Sequence, residues 1–185
     1  LDYHDCHEAF DKKLKQYKKH GYLIPNHKMI KNEKQIEAIK RAAVVNNGLL
    51  DYIEEHIQIG MTTQDIDDMA VAYTSSHGGY SADLNYEGYP KSICTSVNDE
   101  VCHGIPGDYV LQDGDIINVD ATTGVNGYYA DASRMFMLGN VSEEAQRLVK
   151  VTKECLEEGM KAVKPWESTI ADIGTAIEKH AHANG

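Results

Sequence analysis

The chain has 185 residues, 18 Lys+Arg against 29 Asp+Glu, a formal net charge of −11, 42% hydrophobic and 25% charged residues. That length suits one domain or a little more, and the mix is globular, which excludes a disordered or fibrous chain. No apolar run approaches the roughly 18 residues of a membrane span, and Leu1 to Asp5 lack the layout of a signal peptide, so a soluble, cytoplasmic protein with no membrane partner is expected.

Acid excess lies after Lys34, whereas the residues before it are net basic. Lys12, Lys13, Lys15, Lys18 and Lys19 read as the solvated face of a helix, and the acidic body disfavours a nucleic-acid groove. A long helix is predicted from Asn32, whose cap is answered by Gln35, with Ile36, Ile39, Ala43, Leu50, Ile53 and Ile57 inward and a stop at Gly60. A second starts at Thr62 or Thr63, turns Ile66, Met69, Ala70 and Tyr73 inward, and ends at Gly78-Gly79. Residues 80–140 read as short antiparallel strands. Ser142 caps a third core helix with Leu148, Val149, Thr152, Cys155, Leu156 and Met160 inward, ended by Pro165. The last begins near Ser168 or Thr169, buries Ile170, Ile173 and Ile177, and runs to Asn184-Gly185. Residues 32–79 and 142–185 thus share one plan, a capped long helix and then a Thr-led helix containing Asp-Ile, which points to an internal pseudo-repeat. Cys6, Cys94, Cys102 and Cys155 form no C-x-x-C pair and read as free thiols of a reducing compartment.

Chemistry concentrates where Asp115 to Thr122 and Tyr128 to Phe136 flank Asn126-Gly127, a strong hairpin signal. With Asn126-Gly127 as the turn, Asp120 faces Ser133 and Thr122 faces Asp131; with Val125-Asn126, the two aspartates face each other. Either register puts both carboxylates on one face, together with Asn118, Thr122, Tyr129 and Ser133. Like charges across a ladder are destabilising. A divalent cation bound by hard oxygens would relieve them, and a solvated outer face is the plain alternative. His103, before a Gly-x-Pro turn, suits an acid/base or an oxyanion donor, or a polar loop residue. No G-x-S-x-G, Walker A or G-x-G-x-x-G occurs.

Gly88 to Asn98, Val101 to Pro106, Asp113 to Asp120, and Asp131 with Ser133 to Phe136 resemble the type I methionine aminopeptidases, with likeness from about Met29 to the C-terminus. The resemblance implies an α+β pita-bread fold, here its N-terminal half plus the start of the pseudo-symmetric second half. It implies two divalent metal ions (Co, Mn, Fe or Zn) held by two Asp, one His and two Glu. Asp120 falls on the first Asp position and Asp131 on the second, the bridging one. His103 falls on the catalytic, substrate-contacting His that donates to the scissile amide, and Tyr86, Tyr89 and Cys94 fall where the family lines its methionine pocket. The implied activity is removal of N-terminal methionine from nascent proteins and peptides by metal-activated water, with the ribosome as a partner.

The family's other ligands lie in blocks resembling G-H-G-I-G and an E-P segment, which do not occur after Gly174; His180 and His182 read as surface residues. Asp83 and Glu87 are more acidic than their counterparts in many relatives. Cys6-His7 resembles the end of a SEC-C zinc motif, with two of the four ligands a structural zinc needs. The expected organisation is a flexible basic arm over residues 1–28 and a catalytic domain over 29–185 lacking its C-terminal part. Two other readings are an inactive truncated remnant that binds peptides or dimerises through uncovered apolar surface, and an X-Pro peptidase of the same fold.

Overall fold

The computed structural model describes residues 3–24 and 29–185, with side chains from residue 9 onward. The expected boundary after residue 28 and the side chains of Cys6 and His7 lie outside the described residues. Two compact units divide the chain, residues 1–38 and 39–185. Helix α1, Tyr3–Lys19, occupies the first unit, with Lys12, Lys15, Lys18 and Lys19 exposed.

Helix α2, Glu33–His56, begins as predicted: Asn32 N–H donates to Gln35 Oε1 at 2.9 Å, and Gln35 N–H returns the bond to Asn32 Oδ1 at 3.0 Å. Helix α3, Thr63–Ser76, follows a short turn. The sheet comprises β1 (Tyr80–Ser81), β2 (Cys94–Val97), β3 (Ile116–Val125) and β4 (Tyr128–Met137), all antiparallel, with β3 pairing β1 and β2 along one edge and β4 along the other. A 3₁₀ turn, Tyr86–Gly88, lies between β1 and β2. Helices α4 (Glu143–Lys161) and α5 (Ile170–Ala183) close the chain and pack on each other.

The core lies between α2, α3 and one face of the sheet. Leu49, Leu50 and Ile53 of α2 and Ile66 and Ala70 of α3 meet Ile93, Val97, Ile117, Val119 and Phe136. Burial corrects part of the predicted α2 stripe. Ile36 is exposed, and the buried face runs through Ala38, Ala42, Asn46, Leu49 and Ile53. Asn46 breaks the apolar pattern with a polar side chain; here its Oδ1 accepts the Thr123 hydroxyl at 2.7 Å, while its buried Nδ2 has no hydrogen-bond partner among the described residues.

A larger correction concerns α4 and α5. Leu148, Leu156 and Met160, expected inward, are about 60% exposed, and Ile170 is 86% exposed. Only Cys155 and Gly159 of α4 are buried. Gly159 lets Ile173 and Ile177 approach closely, so the stripe that faces α5 is narrower than the stripe that is apolar.

Candidate metal and substrate site

Hairpin β3–β4 has the Asn126-Gly127 register: Asp120 lies opposite Ser133 and Thr122 opposite Asp131. Asn126 (φ 51°) and Gly127 (φ 79°) are both left-handed, the turn whose twist suits paired strands. Ala82 N–H donates to Thr122 C=O at 2.8 Å, so the backbone groups of Thr122 point toward β1. The pairs Asp120–Ser133 and Thr122–Asp131 are therefore the non-hydrogen-bonded kind, whose side chains stand closer together.

That polar face carries both aspartates away from the helices. Asp120 is half-buried and Asp131 exposed. Burial, then the negative charges of Asp131 and Asp83, push the Asp120 carboxyl up, partly offset by His103. The same holds for Asp83: burial raises it most, and bonds from Thr122 oppose the rise. Three carboxylates thus share one field, which is the environment a cation relieves.

Beside them, Cys94 lies opposite Asp120 in the ladder. Burial pushes its thiol up, and Cys94, Cys102 and Cys155 are free. His103 sits at φ 56° on an exposed loop, anchored to β2 one residue later. Gly104 C=O accepts from Thr95 N–H at 2.8 Å, and Gly104 N–H donates to Ser96 Oγ at 3.1 Å. A Cβ at Gly104 would stand 2.1 Å from the Thr95 carbonyl oxygen, so only glycine fits. Tyr89, partly buried, directs its hydroxyl at Ile93 C=O (2.9 Å) and Gly104 C=O (3.1 Å), and burial raises its pKa. Tyr89 therefore ties the segment before β2 to the His103 loop.

A cavity of about 540 Å³ opens on this face, lined by Asp83, Leu84, Tyr86, Thr122, Tyr80 and Tyr129 among others. Tyr86 is 68% exposed at its mouth. Tyr80 lies over Gly124, where a Cβ would come within 2.3 Å of its ring, and its hydroxyl meets that of Tyr129 at 3.1 Å. Two residues went unnoticed in the sequence. Asp67, buried on α3, accepts Ser92 N–H at 2.8 Å and Ile93 N–H at 3.2 Å, holding the approach to β2; an acidic residue on a helix gives no such signal by itself. Ser96 lies within the Gly88 to Asn98 block, but its bond to the Gly104 N–H, eight residues away, leaves no local signal.

Among the described residues, no group of three or more His, Cys, Asp or Glu is arranged to hold a metal ion. His182 is exposed, and half-buried His180 pairs with Glu154 at 3.0 Å. Asp120 and Asp131 fit part of a metal site: hard oxygen donors in a field of uncompensated negative charge.

Residues 37–185 match metallopeptidase family M24. The chain belongs to that family. It is 50% identical over 155 residues to methionine aminopeptidase A of Synechocystis, covering 83% of this chain and 61% of that protein. It is 40% identical over 152 residues to the methionine aminopeptidase of Rickettsia prowazekii, covering 82% of this chain and 58% of that protein. The crystal structure of the Rickettsia prowazekii methionine aminopeptidase superimposes with a TM-score of 0.81 at 40% identity, over 83% of this chain and 62% of that one. An X-Pro aminopeptidase from Thermotoga maritima shares the fold at 23% identity and TM-score 0.72, over 85% of this chain and 43% of that one. The M24 chain thus has the α+β pita-bread architecture, as its N-terminal half and the start of the pseudo-symmetric second half. It spans about three-fifths of the length of the two curated relatives. No helix among the described residues is long and apolar enough to cross a membrane.

Proposed function

We propose that this M24 chain contributes the substrate-pocket half of a methionyl aminopeptidase that acts in the cytoplasm on N-terminal methionine of nascent proteins and peptides, at the ribosome. The observation that carries this reading is the meeting of three segments far apart in sequence on one sheet face: the Asp120/Asp131 pair, the His103 loop, and the cavity wall of Leu84 and Tyr86.

Asp120 and Asp131 would hold a pair of divalent ions (Co, Mn, Fe or Zn), with Asp131 as the bridging carboxylate. Such ions polarise a scissile carbonyl and lower the pKa of water. His103, its main chain fixed by the Gly104–β2 bonds, donates a hydrogen bond to the scissile amide. Tyr86 and Leu84 of the cavity wall, together with Tyr89 and Cys94, would receive the first side chain, and burying a methionine is worth about 1.5–3 kcal/mol. Residues 29–185 form the catalytic portion, residues 1–28 an appended arm.

Methionine release from Met-Ala-Ser in Mn²⁺ or Co²⁺ by this chain fused to the part of the Synechocystis relative that it does not span, which would supply the remaining His and two Glu, tests the reading, with an X-Pro dipeptide as the control. Cleavage of the tripeptide alone is expected; cleavage of only the X-Pro substrate, or of neither, would overturn it. Asp131→Asn should abolish the rise in melting temperature on adding metal, measured by thermal shift. His103→Ala should reduce kcat about 10²-fold or more and leave metal affinity within about threefold; equal losses in both would refute its role. An inactive remnant predicts no metal response in any of these.

A further inference from the structure

Asp83 stands where β1 leaves the sheet and the pocket loop begins. The ladder between β1 and β3 continues one step past Ser81, with Ala82 N–H donating to Thr122 C=O at 2.8 Å. An antiparallel pair of this type normally returns the bond from the opposite N–H. Here the Thr122 N–H donates instead to Asp83 Oδ2, at 2.9 Å. The carboxylate thus takes over from a main-chain carbonyl and finishes the ladder at the point where the chain turns away.

The loop it launches needs such an anchor. Asn85 (φ 67°) and Glu87 (φ 48°) are both left-handed without being glycine, a conformation that persists only when the surroundings impose it. Within the loop, Tyr86 N–H donates to Asp83 C=O and Tyr89 N–H to Tyr86 C=O, each at 2.9 Å, and Asn85 N–H donates to Tyr89 C=O at 2.8 Å. These bonds shape the loop but do not attach it to the sheet. The Asp83 side chain makes that attachment at its start, two residues beyond Asp120, while the Tyr89 hydroxyl makes one at its end.

We propose that Asp83 is a positioning residue of the candidate active site, its carboxylate closing the β1–β3 ladder at Thr122 and thereby holding the 83–89 loop, with Tyr86 and Tyr89, against the strand that carries Asp120. This rests on the aminopeptidase reading for its kinetic consequence but not for its structural one. Asp83 also lines the cavity, and the role assigned to it is carried by its bond to Thr122 rather than by contact with substrate. The bonds from Thr122 oppose, without cancelling, the rise that burial and the neighbouring Asp131 impose on its carboxyl.

The test compares Asp83→Ala, which removes the acceptor, with Asp83→Asn, which keeps an acceptor of the same shape and removes the charge. Amide hydrogen exchange is followed by NMR at Thr122, Asn85, Tyr86 and Tyr89, alongside kinetics on Met-Ala-Ser in Mn²⁺ with the same substitutions in the fused enzyme. In Asp83→Ala, exchange at Thr122 and across the loop should quicken about tenfold or more. KM should rise about five- to tenfold with kcat within about threefold, as expected for loss of binding shared by ground and transition states. Asp83→Asn should restore both to within about threefold of the parent. Unchanged loop exchange in the alanine variant would overturn the proposal, and so would an asparagine variant as impaired as alanine, because charge rather than the ladder bond would then be the essential property. A parent fusion that releases no methionine fails the aminopeptidase reading alone; exchange at the four amides then decides the role of Asp83.

Discussion

Thr62 and Thr169 each open a helix in the same way. The Thr N–H donates to the carboxylate three residues on, Asp65 Oδ2 at 2.7 Å and Asp172 Oδ2 at 2.6 Å, and the Thr hydroxyl donates to the same oxygen at 2.7 and 2.9 Å. The helices before them, α2 and α4, are also capped, by Asn32 and Ser142. Beyond the caps the two regions part. In α2–α3, Ile53 and Ile66 are fully buried beneath the sheet, whereas α5 has no buried residue and α4 leaves Leu148, Leu156 and Met160 in solvent. Capping is local chemistry, satisfied by residues three apart. Burial requires an opposing surface, and within this chain the sheet serves only the first pair.

The sharpest way to break the comparison is to empty equivalent apolar positions. Ile53→Ala should cost about 3–4 kcal/mol through lost burial and a cavity, and Leu156→Ala under about 0.5 kcal/mol, read as shifts in the urea midpoint. Similar costs would mean that α4 is covered in solution. Next come two glycines, Gly48 and Gly159, each approached by side chains of the partner helix. A Cβ at Gly48 would lie 2.3 Å from the Tyr73 hydroxyl, and that ring is stacked on His77 with centroids 3.9 Å apart. Gly48→Ala should therefore destabilise by about 1–2 kcal/mol. At Gly159 the contacts are 3.1 Å to an Ile177 that is only half-buried. There the helix propensity gained by alanine offsets the crowding, and Gly159→Ala should stay within about 0.5 kcal/mol of the parent.

The smallest effect should be the same in both regions. The Asp65 carboxyl is held below the usual carboxylate range by the Thr62 hydroxyl and then the Thr62 N–H, and Asp172 by the Thr169 N–H and then its hydroxyl. A carboxylate whose pKa is lower folded than unfolded stabilises above its unfolded value and loses that contribution as pH falls through the folded one. Carbon-detected titration should place both below 3.8, and the first turns of α3 and α5 should fray together under acid. Separate midpoints for the two turns would show that the caps feel their different surroundings after all.

Much of the site could be read from the sequence because its signals are local. Asn126-Gly127 permits the tight turn, and a period of two then places Asp120 and Asp131 on one face whatever the register; the fold chose the register that sets Asp120 against Ser133. Gly104 signals its own necessity only once the Thr95 carbonyl is seen against it. The roles of Asp67 and Asp83 were hidden for the same reason: the amides they accept from are 25 and 39 residues away, and no pattern along the chain records which N–H groups a folded backbone leaves without partners.

By itself the sequence determined the helices and their caps, the hairpin, the repeated helix-pair plan and the side chains able to carry charge. Each of these depends on residues within a few positions of one another, where backbone geometry leaves few choices. Tertiary structure alone decided which apolar stripes are buried, which carboxylate completes a ladder and which loop meets the aspartate pair, because each of those depends on what stands opposite, and that is fixed by packing across the whole sheet.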